Sequence, residues 1–309
     1  PTASHTYSKP GTYTVLCTLV DKTGARRVSN KIHIDIPQSG TTTTANITFR
    51  TIKKPGDTFE VEGEILQVNG QADAVQSAFD LVSESEDSYV YQALKPGYFI
   101  IRTGTPENST TIDVFVSPVE SVHSDRTDMN WYRTQFNTGT PSNCGPATVS
   151  MGISWAKGTY VAVSTIRANI GWHGDGATSF AQLAGELTRY GVKNSSTEIK
   201  SSNDLRTIID RDHIAIVLIH CGRISGNKTT NPENFFGRYY SDSVGHYIVI
   251  KGYSADGKYF IAYDPLPGDW ISNSSRYSDG ISMLGRNRYY LSDDIARSLT
   301  TMHVIEISR

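Results

Sequence analysis

Short β-rich runs alternate with turn signals between residues 11 and 36: residues 12–16 follow Pro10-Gly11, and residues 31–36 come after a turn signal at Thr23-Gly24. The pattern predicts a hairpin without a helix, and two strands alone cannot bury a sheet face. Four threonines, Thr41 to Thr44, form a polar linker. Beyond it, residues 47–51, 59–67, 89–92, 98–103 and 111–116 predict strands, with Lys95-Pro96-Gly97 as a turn. Residues 72–82 carry apolar side chains at 74, 75, 78, 79 and 82, a spacing closer to a helical period than to a two-residue one. From about residue 119 helices come first and strands afterwards. Helices are predicted at 144–157, at 179–190 (ended by Gly191, with Ser179 and Gln182 spaced as a capping box) and at 203–211. Strands follow at 214–220, at 246–252 and 258–264 around Asp256-Gly257, and at 302–307. Helices followed by strands is the order of an α+β fold, with helices packed on an antiparallel sheet. The chain therefore divides into a β segment at 1–37, a mainly β module at 41–118 that reads as a spacer or interaction module without chemistry, and an α+β domain at 119–309.

Composition narrows the classes. The 309 residues are 38% hydrophobic and 19% charged, which excludes a disordered chain and a coiled coil. The formal charge of −2 lacks the electrostatic footprint of a nucleic-acid binder. No apolar run approaches the roughly 18 residues of a spanning helix. The start at Pro1, without Met or a signal segment, reads as a mature piece from which any targeting segment has been removed. Three cysteines, Cys17, Cys144 and Cys221, cannot all pair, so at least one thiol is free unless it pairs between chains.

Cys144 sits where the polar loop Ser142-Asn143 becomes a helix, with Pro146 suited to its first turn. A thiol there meets the positive end of a helix dipole and unpaired N–H groups, which favour the thiolate. Gln135 precedes it by nine residues. His246 opens an apolar strand after Gly245, and Asp264-Pro265 ends its hairpin partner. A five-residue loop at 253–257 sets His246 opposite Asp264, whereas a two-residue turn at Asp256-Gly257 sets Asp264 opposite Val249, about 10 Å along the strand from His246. Two loops are candidate substrate-binding walls: residues 171–176, with Trp172 and His173, and the long stretch 221–245, with Phe236 and Tyr240. His173 is also a rival to His246 as base. Adjacent His220 and Cys221 project to opposite faces of a strand, and no metal-ligand spacing occurs, so neither a metal nor a cofactor is expected.

In this order, Gln135, Cys144-Gly145-Pro146, Gly245-His246 and Asp264-Pro265 resemble papain-like cysteine peptidases across about residues 130–309, closest to the branch related to the double-glycine leader peptidases of bacteriocin exporters. The string from His5 to Val15 resembles part of a polycystic-kidney-disease-type (PKD) immunoglobulin-like repeat. Together the resemblances imply a secreted or surface-exposed multidomain chain, with N-terminal immunoglobulin-like β modules followed by an α+β papain-like peptidase domain. They further imply Cys144 as nucleophile, His246 as its proton partner, Asp264 as orienter and Gln135 in the oxyanion hole, acting on a protein or peptide substrate. Host proteins, immunoglobulins among them, are candidate substrates. Two alternatives stay open: an acyltransferase, transglutaminase-like enzyme or cell-wall amide hydrolase on a related fold, and an adhesion protein with an inert peptidase-like domain.

Overall fold

The computed structural model describes residues 47–86, 88–105, 108–171, 176–227, 234–266, 276–277 and 279–309 in full, and strand backbone alone within 1–46. The chain forms two compact units, residues 1–46 with 106–108, and residues 47–105 with 109–309. In the first, β1 (Gly11–Val15), β2 (Thr18–Val20), β3 (Arg26–Val28) and β4 (Ile32–Ile36) make two antiparallel pairs, β1 with β4 and β2 with β3. Residues 5–10, which open the repeat-like string, lie outside the described residues.

The second unit begins with β5 (Thr48–Ile52), β6 (Thr58–Glu62), β7 (Ile65–Val68), α1 (Val75–Ala78), β8 (Phe79–Glu84), β9 (Ser88–Ala93), β10 (Gly97–Gly104) and β11 (Ser109–Val116). The sheets β5-β11-β10-β7 and β6-β9-β8 enclose a core that includes Phe59, Phe79, Tyr91, Ile101 and Val114. The single strand predicted at 59–67 is split at Gly63, which has φ +75° and whose added Cβ would lie 2.5 Å from Gly104 Cα. Helical spacing at 72–82 yields only the one turn of α1. The rest becomes β8, because β9 offers a ladder that helix propensity cannot match.

Then follow β12 (Ser121–His123), α2 (Cys144–Lys157), α3 (Val163–Asn169), α4 (Phe180–Arg189), β13 (Lys193–Glu198), α5 (Ser202–Asp210), β14 (Ile214–His220), β15 (Gly245–Ser254), β16 (Tyr259–Tyr263), β17 (Arg288–Leu291), α6 (Ser292–Ser298) and β18 (His303–Ser308). The strands form one antiparallel sheet in the order β13-β18-β14-β15-β16-β17, with β12 on the far end of β15. The predicted capping box starts α4: Gln182 N donates to Ser179 Oγ, and Ser179 N to Gln182 Oε1.

Leu205, Ile208 and Ile209 of α5 and Ile295 of α6 cover one face, over Val217, Ile248, Ile250, Phe260 and Ala262. On the other face α2 is buried nearly all round, packing Val149, Ile153 and Trp155 over Ile216, Val249 and Ile305, with Ile166 of α3 and Leu183 and Leu187 of α4 in the same core. These helices leave the β16–β17 end of that face to others. Ile261 and Tyr289 there join Phe235, Tyr277 and Leu284 in a cluster completed by Tyr98 of β10 and Phe115 of β11. The module is thus no detached spacer. Along β11, Ile112, Val114 and Val116 enter the module's own core while Asp113 and Phe115 face the α+β domain, so residues 112–116 are all buried. Truncation of Phe115 to Ala is expected to cost about 3–5 kcal/mol. In urea, circular dichroism and tyrosine fluorescence should follow one transition for the second unit; a separate melt of the module would contradict the shared core.

Candidate active site

Helix α2 begins at Cys144, and the loop before it is fixed from several sides. The Asn143 amide donates to Thr138, and the Arg167 guanidinium donates to Asn143 Oδ1 and the Ser142 carbonyl. Gly145 is required by close approach, since an added Cβ would lie 2.2 Å from Thr178 Oγ1. His246 enters from β15 and Asp264 from just beyond β16, with Nε2 2.7 Å from Oδ1 and both side chains buried.

Their meeting depends on register. Near the turn Tyr253 faces Phe260 and Gly252 faces Ile261, but further on Ile250 faces Ala262 and Val249 faces Tyr263. Lys251 is the extra residue of a β-bulge. Neither register considered from the sequence holds over the whole ladder: the five-residue loop is absent, and the tight-turn register is shifted by one. Continued past β16, the shifted ladder sets Asp264 level with Ile248, on the face of His246 and diagonal to it. Unshifted, Asp264 would lie level with Val249 and on the opposite face. The Lys251 side chain is fully buried and binds the Asp125 carboxylate at 2.7 Å and Asn287 Oδ1 at 2.8 Å. Burial pulls its pKa down to about 8, against the pull of Asp125, and burial and the Lys251 charge lower His123 to about 3. His123 therefore stays neutral and can accept from Lys251 Nζ at 3.3 Å.

Four donors surround the Asp264 carboxylate. Oδ1 takes His246 and the Leu266 N–H (2.8 Å), and Oδ2 takes the hydroxyls of Tyr240 (2.8 Å) and Tyr290 (2.6 Å). Burial pushes its pKa up, but His246 and these donors hold it below the ordinary range. Burial disfavours the His246 cation, yet Asp264 and Cys144 lift it well above the usual imidazole value. Burial also raises the Cys144 thiol. Hydrogen bonding and charge from His246, with the Tyr247 and Gly145 N–H groups, outweigh this and leave it lowered. With Nε2 on Asp264, Nδ1 is the ring nitrogen left for Cys144.

The remaining candidates fall differently. Gln135 is buried beside Pro265, whose carbonyl accepts its backbone N–H; its side-chain amide donates to the Pro141 carbonyl at 2.6 Å, and Oε1 has no partner among the described residues. Tyr240, expected on a cleft wall, is instead buried against Asp264. Phe236, expected beside it, packs on the rings of Tyr259 and Tyr289. Trp172 and His173 lie outside the described residues. Cys221 is buried, shares its sulfur with Asp242 O and Val244 N, and has its pKa raised by burial. Sequence reasoning missed Tyr290 and Lys251; no motif marks either. Among the described residues no group of three or more His, Cys, Asp and Glu could hold a metal ion, and no helix is long and apolar enough to cross a membrane.

A family model for the Peptidase_C39 like family matches residues 129–285, just over half of the chain. Among solved structures, a C39-like peptidase from Bacillus anthracis aligns at 14% identity and TM-score 0.40, covering 62% of this chain and 98% of its own. The peptidase domain of Streptococcus ComA, a bifunctional ABC transporter of a quorum-sensing pathway, aligns at 13% identity and TM-score 0.36, covering 58% of this chain and all of its own. A double-glycine-motif protease from an AMS/PCAT transporter, solved with its leader peptide, aligns at 15% and 0.34, covering 58% and 91%. No curated protein matches the sequence.

Tyr290→Phe removes one donor to Asp264 and leaves more of its negative charge to act on the imidazole. The His246 pKa should therefore rise further, with Tyr240→Phe acting in the same direction. An NMR titration of the ring proton checks this, and an unchanged or lower value would contradict the assigned bonding.

Proposed function

The chain belongs to the Peptidase_C39 like family, and on that premise we propose that it is a cysteine endopeptidase in which Cys144, His246 and Asp264 act as one unit. The observation that carries this reading is the buried relay from Asp264 Oδ1 through His246 to Cys144, with the thiol lowered and the imidazole raised. Those opposite shifts favour a thiolate–imidazolium pair as the resting state. The thiolate attacks the scissile carbonyl carbon, and the carbonyl π pair moves onto oxygen. The Cys144 N–H and the uncommitted N–H of the Gln135 amide receive that oxyanion, each donor contributing about 3 kcal/mol in comparable sites. His246 then protonates the leaving amine, and the C–N bond breaks to leave a thioester. A water molecule, giving its proton to His246, releases the acid and restores the thiolate. Asp264 keeps the imidazole oriented and stabilises its cation.

Cys144→Ala should abolish turnover without unfolding, and His246→Ala should cost nearly as much, because members of such a unit act together. Brief treatment with a limiting epoxide inhibitor, mapped by mass spectrometry, should label Cys144 ahead of Cys17 and Cys221 and lose that preference in His246→Ala. Equal labelling of the three thiols would sink the reading. Turnover should rise with pH through the lowered Cys144 ionisation and fall through the raised His246 one, the two limbs belonging to the coupled pair.

A further inference from the structure

Asp264 is held from behind as well as from the His246 side. Its backbone N–H donates to the Gly285 carbonyl at 2.8 Å, and Tyr132 Oη donates to its own carbonyl at 2.8 Å. The approach is so close that a Cβ on Gly285 would fall 2.0 Å from Asp264 O and 2.5 Å from Tyr132 Oη. Residues 279–288 thus form a strap whose position sets that of the carboxylate. The same strap reaches Tyr240, since the buried Arg288 guanidinium donates to the carbonyls of Asn234, Phe236 and Gly237 at the start of the loop carrying that tyrosine.

The strap is anchored largely by the β module. Next to Gly285, buried Arg286 donates to Asp113 Oδ2 of β11 at 3.0 Å and to Ser282 Oγ at 3.1 Å, bonds Tyr263, and lies 4.6 Å over the Tyr98 ring. Tyr277 Oη donates to the Leu284 and Arg286 carbonyls, and its ring packs on Tyr98 of β10 and on Phe235. Thr51 of β5 donates to Asp125, the carboxylate that binds Lys251 at the bulge. Module residues therefore touch both devices that place Asp264, the strap and the bulge.

We infer that the β module is a positioning element of the peptidase site, with Asp113 acting through Arg286 on the strap that fixes Asp264. This rests on the Cys144–His246–Asp264 reading above, yet its test needs no peptide turnover. The groups facing the triad are the Tyr247 phenol of β15, Tyr240 and Tyr290, Tyr132 and Cys221, with Arg238 and Arg288 behind them. Arg286 also acts on Tyr132 by its charge, and a change at 113 replaces none of these groups directly.

The measurement is the rate of Cys144 alkylation by iodoacetamide against pH, mapped by mass spectrometry in the full chain, for wild type, Asp113→Asn and Val114→Ala. Val114 is the neighbour that faces the module's own core, so Val114→Ala lowers stability without touching the strap. Asp113→Asn should move the thiolate limb upward by about one pH unit, slowing alkylation about tenfold on the acid side. Val114→Ala should keep the wild-type limb despite a lower Tm. A wild-type limb in Asp113→Asn, or matching shifts in both variants, overturns the inference. If Asp113→Asn does not fold, Arg286→Lys replaces it, keeping a cation for Asp113 while losing the grip on Ser282 and Tyr263; a wild-type limb there overturns it equally. A chain that alkylates as expected but cleaves nothing defeats the peptidase reading and leaves this one standing.

Discussion

Side-chain parity along the β15–β16 hairpin turns on Lys251, the residue that the ladder leaves unpaired. Because strand side chains alternate, one extra residue exchanges the faces of everything beyond it. Here the exchange carries Asp264 to the side of His246. The residue that makes the shift is a lysine with no exposed surface, and a buried ammonium is tolerated only when paired. Asp125, Asn287 and the neutral His123 supply that pairing. The charge network beneath the bulge and the His246–Asp264 pair above it are parts of one constraint.

The second constraint is coverage. An antiparallel sheet with both faces buried needs two layers, and α2 with its neighbours covers only part of one face. Tyr98 and Phe115 complete it, placing the buried Asp113–Arg286 ion pair alongside the aromatic contact. An ion pair so enclosed contributes little net stability, but its geometry is specific and its breakage is costly.

Much of this was legible in sequence. The helix at 144–157, the strand at 214–220 and the Ser179–Gln182 cap follow from apolar spacing and local hydrogen bonding. Gln135, Cys144, His246 and Asp264 stand out because motif and order mark them, and the fold brings His246 and Asp264 within 2.7 Å. The elements α3 and α6 were missed because seven residues carry too little periodicity, and β13 because Lys-Asn-Ser-Ser-Thr-Glu is a polar edge strand that, among the described residues, pairs with β18 alone. Tyr240 was assigned to the wrong environment. An aromatic run in a long loop reads as a wall, and nothing local says that its last hydroxyl turns inward to a carboxylate twenty-four residues away. The bulge was equally hidden, because Asp256-Gly257 fixes the register at the turn and only tertiary contacts to Lys251 alter it further along.

The aromatic layer formed by Tyr98, Phe115, Phe235, Tyr277 and Tyr289 also bears on how such a chain can be recombined. A crossover between residues 116 and 120 would separate two half-surfaces shaped to each other and pair each with a stranger. Asp113 or Arg286 would arrive without its counter-charge, and the strap would lose its anchor. Residues 47–309, and not the α+β domain alone, form the piece that can be moved intact.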